Sequence, residues 1–80
     1  MWYVYILKCS DDTLYTGITI ELTRRVEEHN ASPLGARYTR SRRPVELVYS
    51  AEFSSRAEAA AEEYRIKKLS RASKQKLLVR

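Results

Sequence analysis

The sequence predicts an α+β domain: a small three-stranded, mainly antiparallel sheet flanked by helices, in the order ββαβαα. Three observations carry that prediction. The first twenty residues hold two short runs rich in aromatic and β-branched side chains, separated by Ser10-Asp11-Asp12, whose side chains favour turns. A third run of the same kind lies near the middle of the chain, and helical signals separate it from the first two and follow it to the end. Eighty residues suffice for one domain, placed at 1–80, which buries about 60% of its unfolded surface and so has a thin core.

Residues 2–9 form the first expected strand and Leu14 to Thr19 the second, which together make a β-hairpin. Gly17 inside the second strand marks either a bulge or a place where another group approaches the backbone closely. Residues 21–30 read as a helix, with Leu22 and Val26 four apart as its buried stripe. Residues 31–44 carry Ser32, Pro33, Gly35 and Pro44 and read as loop. A third strand is expected from about Val45 to Glu52. Ser54 or Ser55 then caps an alanine-rich helix that runs to about Leu69, and Ser55-x-x-Glu58 has capping-box spacing. Ser70 can cap a last short helix ending near Leu78.

Composition narrows the function classes. The chain is 44% hydrophobic and globular rather than disordered in character. Its one cysteine, Cys9, has neither a disulfide partner nor metal-ligand spacing, which fits a reducing, cytoplasmic setting. No apolar run approaches the roughly 20 residues that span a bilayer, and no basic leader precedes Trp2. Asn30-Ala31-Ser32 matches a glycosylation acceptor, which carries no weight in that setting. The net charge is +5, and ten of the fifteen cations are arginine, the side chain that grips phosphate in a two-pronged geometry. A polyanionic partner fits this balance, as does simple solubility.

The first helix holds the sharpest signal. With Leu22 and Val26 on its buried side, at about 100° per residue, Arg25 and His29 fall on that same side and Arg24 points to solvent. Arg25 would then either snorkel along the core edge or serve a site, and His29 would be a satisfied helix-end histidine or a functional one. Tyrosine is the second signal, with six Tyr against one Phe. Tyr3 and Tyr5 share one face of the first strand, and Tyr15 lies in the facing strand. A buried tyrosine needs a partner for its hydroxyl, so these residues either pack or line a polar site.

Tyr3-Val4-Tyr5, followed ten positions later by Tyr15-Thr16-Gly17, resembles the paired motif of the GIY-YIG nucleases. An essential arginine of that family lands on Arg25, and a histidine present in several branches lands on His29. Glu63-x-x-Ile66-Lys67 is similar to the family's metal-binding segment. Gly35-Ala36-Arg37-Tyr38-Thr39, with Arg42-Arg43-Pro44 after it, resembles the small stand-alone branch and a eukaryotic structure-specific nuclease subunit. The match spans essentially the whole chain. Three features depart from the pattern: Tyr3 stands where Gly is typical, Thr16 stands where Ile is typical, and no Asn follows Glu63.

The resemblance implies a metal-dependent endonuclease that hydrolyses phosphodiester bonds in DNA, directed by DNA structure as in DNA repair. Tyr5 would take the proton of the attacking water, with Tyr15 and His29 orienting or relaying it, and Arg25 would meet the charge developing on the phosphate. Glu63 would hold one divalent ion, Mg²⁺ or Mn²⁺. Glu62 competes for that role, because alanines on most sides of the helix hide which carboxylate faces inward, and Glu63 could instead form only a surface pair with Lys67. Arg37, Tyr38, Arg40, Arg42 and Arg43 would contact nucleic acid, as could the cations Lys67, Lys68, Arg71, Lys74 and Lys76, unless these are solvated surface charges. No recognition helix or zinc finger is visible, which argues against base-specific reading and leaves room for a protein partner that supplies specificity. The alternative is a binding module of the same fold with weak or lost catalysis.

Overall fold

Alternating apolar side chains on both sides of the first strand put it at the centre of the sheet. The computed structural model describes residues 1–31 and 34–78. Strands β1 (Trp2–Lys8), β2 (Leu14–Thr19) and β3 (Glu46–Phe53) form an antiparallel sheet in the order β2-β1-β3. Helix α1 (Leu22–Ala31) and a single turn, α2 (Arg37–Arg40), connect β2 to β3, and helices α3 (Arg56–Lys67) and α4 (Arg71–Leu78) follow. The α+β class and the three-stranded sheet are as the sequence predicts, and the observed order is ββααβαα.

The turn α2 is the one element the sequence does not announce. Four residues hold no apolar periodicity, and the turn is closed by local backbone bonds from Thr39 N–H to Ala36 O and from Arg42 N–H to Thr39 O. Of the residues read as loop, Ser32 and Pro33 lie outside the described residues. The expected capping box is present: Ser55 Oγ accepts from Glu58 N–H, and the Glu58 carboxylate accepts from both Ser54 and Ser55 hydroxyls. Ser70 Oγ likewise accepts from Ser73 N–H at the start of α4.

Burial of β1 on both faces divides the core in two. Val4 and Ile6 point toward Ala59 and Ile66 of α3, with Leu77 and Leu78 of α4 packed beside them. Tyr5, Leu7 and Cys9 point the other way, where Val45 and the α1 residues Leu22 and Val26 meet them. Among the described residues the only register shift falls between Ile6 and Leu7 on the β3 side, whereas β1 and β2 pair continuously from Tyr3↔Thr19 to Lys8↔Leu14. Gly17 therefore marks no bulge. Its other expected meaning holds, because the Tyr5 ring lies over it.

Candidate active site

Tyr5 and Gly17 are directly opposed across β1 and β2. A Cβ at Gly17 would meet the Tyr5 hydroxyl oxygen at 2.5 Å and Cζ at 2.7 Å, so only glycine leaves the ring its place. Tyr5 is fully buried against α1, and its hydroxyl lies 2.8 Å from His29 Nε2. His29, in the last turn of α1, is itself fully buried. Its Nδ1 lies 2.8 Å from Thr39 Oγ1, and Thr39 Oγ1 lies 2.9 Å from Ala36 O.

Counting protons assigns the direction of this chain of bonds. Thr39 has one hydroxyl proton, and a carbonyl oxygen can only accept, so the 2.9 Å contact to Ala36 O makes Thr39 the donor there. His29 Nδ1–H must then donate to Thr39 Oγ1, which leaves Nε2 bare to accept from the Tyr5 hydroxyl. The opposite tautomer would forfeit that 2.9 Å bond and gain only a 3.4 Å contact from Ala36 N–H to Nδ1. The shorter bonds decide.

Burial sets the charge state of the pair. It drives the His29 pKa down to about 4, and the positive charges of Arg25 and Arg43 push the same way against Glu28, so the ring is neutral at physiological pH. Burial likewise pushes the Tyr5 hydroxyl up to about 12; Tyr15 and Glu63 add to the rise, and Arg25 opposes it by hydrogen bonding and charge.

The other expected residues gather around this pair. The Tyr15 ring centre lies 6.5 Å from that of Tyr5 and 5.2 Å from His29, and Tyr38 stacks on Tyr15 at 5.8 Å with an interplanar angle of 26°. Arg25 is three-quarters buried while Arg24 is two-thirds exposed, as the helical geometry predicts. The Arg25 guanidinium is held by Glu28 Oε1 and Leu34 O, both at 2.8 Å.

Tertiary contacts separate the two glutamates that helical periodicity leaves equivalent. Glu62 is engaged by Arg65 through two bonds of 2.6 and 2.7 Å, on the side of α3 where Arg65 feels Tyr49 of β3. Glu63 pairs with Lys67 at 3.2 Å, and its negative charge acts on Tyr5. Both roles weighed for Glu63, surface pair and site carboxylate, are thus open to it. Among the described residues no three His, Cys, Asp or Glu side chains cluster as a metal site.

The loop arginines divide. Arg43 donates to the His29 and Glu28 carbonyls at the end of α1, and Arg42 donates to Asp11 and to Tyr38 O while its guanidinium covers the Tyr38 ring at 4.0 Å. Arg37 and Arg40 are exposed. Sequence reasoning missed three supports of the site: Thr39, Glu28 and Asn30. The Asn30 amide exchanges two bonds with Val45, 2.7 and 3.0 Å, and so pins the end of α1 to the start of β3. With both amide atoms engaged and the side chain half-buried, Asn30 is no glycosylation acceptor. A β-branched hydroxyl in the Gly35–Thr39 tract was the one available hint of Thr39.

The family model of the GIY-YIG catalytic domain matches residues 1–77. The UPF0213 protein of Desulfotalea psychrophila is 57% identical over 96% of this chain and 70% of its own length. That of Halobacterium salinarum is 54% identical over 96% of this chain and 99% of its own. Among solved structures, the NMR structure of the UPF0213 protein from Bacillus halodurans is 49% identical with a TM-score of 0.61, covering 96% of this chain and 82% of that one. An NMR structure of an E. faecalis protein is 43% identical with a TM-score of 0.63, covering 92% and 78%. No helix among the described residues is long and apolar enough to cross a membrane.

Proposed function

As the chain belongs to the GIY-YIG nuclease family, we propose that it is an endonuclease hydrolysing phosphodiester bonds in DNA, dependent on one divalent ion, Mg²⁺ or Mn²⁺, and directed by DNA structure rather than base sequence. One observation carries the reading: a buried tyrosine hydroxyl aimed at the bare nitrogen of a neutral histidine, with an arginine and a carboxylate both acting on that hydroxyl. Stability does not need such a pair, and water activation does.

With its pKa near 12, Tyr5 keeps its proton at rest and takes one from water only as it releases its own to His29 Nε2. The water oxygen bonds to phosphorus as the bond to the leaving oxygen breaks, and that oxygen takes a proton from solvent. His29 then returns its extra proton to Tyr5, which releases one to solvent and restores the resting pair. Arg25, held in place by Glu28 and the Leu34 carbonyl, meets the charge growing on the phosphoryl oxygens. Tyr15 packs beside the pair, where it would orient or relay the proton. Glu63 would hold the ion. A lone carboxylate fits Mg²⁺, which keeps several waters and takes substrate phosphate oxygens, and when bound it supplies positive charge to the phosphate. The exposed Arg37 and Arg40 contact the DNA backbone, which positions it without reading bases.

Nicking of supercoiled DNA with Mg²⁺ or Mn²⁺ tests the assignment. Tyr5→Phe, Arg25→Ala and Glu63→Ala are each expected to slow cleavage by about 10²-fold or more. Unchanged rates in all three refute it. A second reading, a binding module without catalysis, draws on the Glu63–Lys67 pair and on the lack of Asn beyond Glu63. It predicts DNA binding with no metal-dependent nicking.

A further inference from the structure

The geometry points to a second anion site outside the catalytic cluster: a depression between the β1–β2 turn, α2 and α4 that takes a backbone phosphate of the bound DNA strand, away from the bond being cut. The depression holds about 230 Å³ and is lined by Thr13, Leu14, Tyr38, Arg71 and Lys74. This site rests on the nuclease reading, since its occupant is part of the same substrate.

Charge accounting singles the site out. Several other cations are already matched: Lys8 with Asp12, Arg42 with Asp11, Lys67 with Glu63 and Arg65 with Glu62. Lys68 lies over the Tyr64 ring. Arg71 and Lys74, three apart on one face of α4, pair with no carboxylate among the described residues, and Lys74 is half-buried. Arg71 is held against the turn by a 2.8 Å bond from its guanidinium to Asp12 O, which leaves its remaining N–H groups to donate elsewhere. Two positioned, uncompensated cations are a donor set for phosphate oxygens; Thr13, whose hydroxyl already donates to Asp11, adds only backbone and wall to the depression. Since the nearby carboxylates of Asp11 and Asp12 are engaged by Arg42 and Lys8, the net field in the depression is positive.

Continuity identifies the anion. Tyr38 belongs to both places, lining this depression and stacking on Tyr15, which in turn lies 5.2 Å from His29. A chain of phosphates passing the Tyr5–His29 pair reaches Arg71 and Lys74 without leaving the surface of the domain. A free phosphate or an acidic peptide has no reason to span that path.

Binding of a labelled DNA oligonucleotide, measured by anisotropy at several salt concentrations in EDTA, tests the site. Arg71→Ala with Lys74→Ala is expected to reduce the slope of log K against log salt by about 1, the signature of one lost phosphate contact. Arg24→Ala with Arg56→Ala removes the same two charges from exposed positions elsewhere and leaves the slope unchanged. Lys74→Ala alone, which keeps the Arg71 tether to the turn, weakens binding at low salt several-fold. Equal slopes for the two double variants overturn the site while DNA cleavage by the unaltered chain upholds the nuclease reading. Absence of DNA binding by the unaltered chain overturns both.

Discussion

Adding one methyl group at Gly17 should disable the site while leaving the fold in place. A Cβ there would stand 2.5 Å from the Tyr5 hydroxyl oxygen and 2.7 Å from Cζ, where ordinary contact begins near 3.4 Å, so the end of the ring must retreat by roughly 0.9 Å. The ring has little room for that, being fully buried with Leu7, Leu22 and Val26 around it and His29 at its tip. Either the 2.8 Å bond to His29 breaks or β2 shifts away from β1. Overpacking of this size costs about 1–3 kcal/mol, and a misplacement near 1 Å in a reacting group costs on the order of 10²-fold in rate. The assay pairs a urea unfolding curve with the nicking rate. Gly17→Ala is expected to shift the unfolding midpoint modestly, to lose about 10²-fold in turnover, and to remove the coupling between the Tyr5 hydroxyl and the His29 ring seen by NMR. Full activity with an intact Tyr5–His29 bond would show that the glycine does not shape the site.

Thr39→Val removes the acceptor of His29 Nδ1–H without changing shape much; it should cost about 1–3 kcal/mol and let the other tautomer appear in the ¹⁵N shifts of the ring. Thr39→Ser should restore the original pattern, and identical ring shifts in Thr39→Val would sink the tautomer assignment. Because His29 is held near pKa 4, below its ordinary 6.5, its unfolded form binds a proton that the folded form refuses between those values. Stability conferred above pH 6.5 is thus lost as pH falls toward 4, by roughly 3 kcal/mol in total; a His29 resonance titrating above pH 6 contradicts this. Arg43→Ala uncovers the Glu28 and His29 carbonyls and is expected to lower stability by about 1–2 kcal/mol with no change in the salt dependence of DNA binding. Arg37→Ala should do the reverse, and the comparison fails if Arg43→Ala flattens the salt slope.

How much of this was legible follows from how local each signal is. Helical angles alone put Arg25 inward and Arg24 outward, and the hairpin together with the motif spacing brought Tyr5 and Tyr15 to neighbouring strands. Gly17 could be flagged, yet only the register, which sets it opposite Tyr5, says which of its two meanings applies. Glu62 and Glu63 were indistinguishable because Ala57, Ala59, Ala60 and Ala61 give α3 no distinct apolar stripe; only the folded chain gives them different partners, Arg65 for Glu62 and Lys67 for Glu63. Thr39, Asn30 and Arg43 were illegible as supports. Each bonds across ten or more residues between α1 and the aperiodic 34–45 segment, so their partners exist only once residues 34–45 have closed over α1. Gly35 permits that closure, since a Cβ there would strike the Glu28 carbonyl oxygen at 2.6 Å.

The polar string Tyr5–His29–Thr39 is hard to account for by stability. Removing one member strands a buried donor or acceptor at a cost of about 1–3 kcal/mol, but replacing such partners together by apolar groups of like shape is close to neutral. A core of Phe, Leu and Val at these three positions would fill the same space with no hydroxyl or ring nitrogen to satisfy. Every link is instead complete: among the described residues no buried side-chain nitrogen or oxygen lacks a partner. The string ends at the Tyr5 hydroxyl, over Gly17 and beside the Tyr15 ring. A thin domain that gives its central strand a tyrosine, and clears the facing strand to glycine to seat it, spends core volume on placing one oxygen.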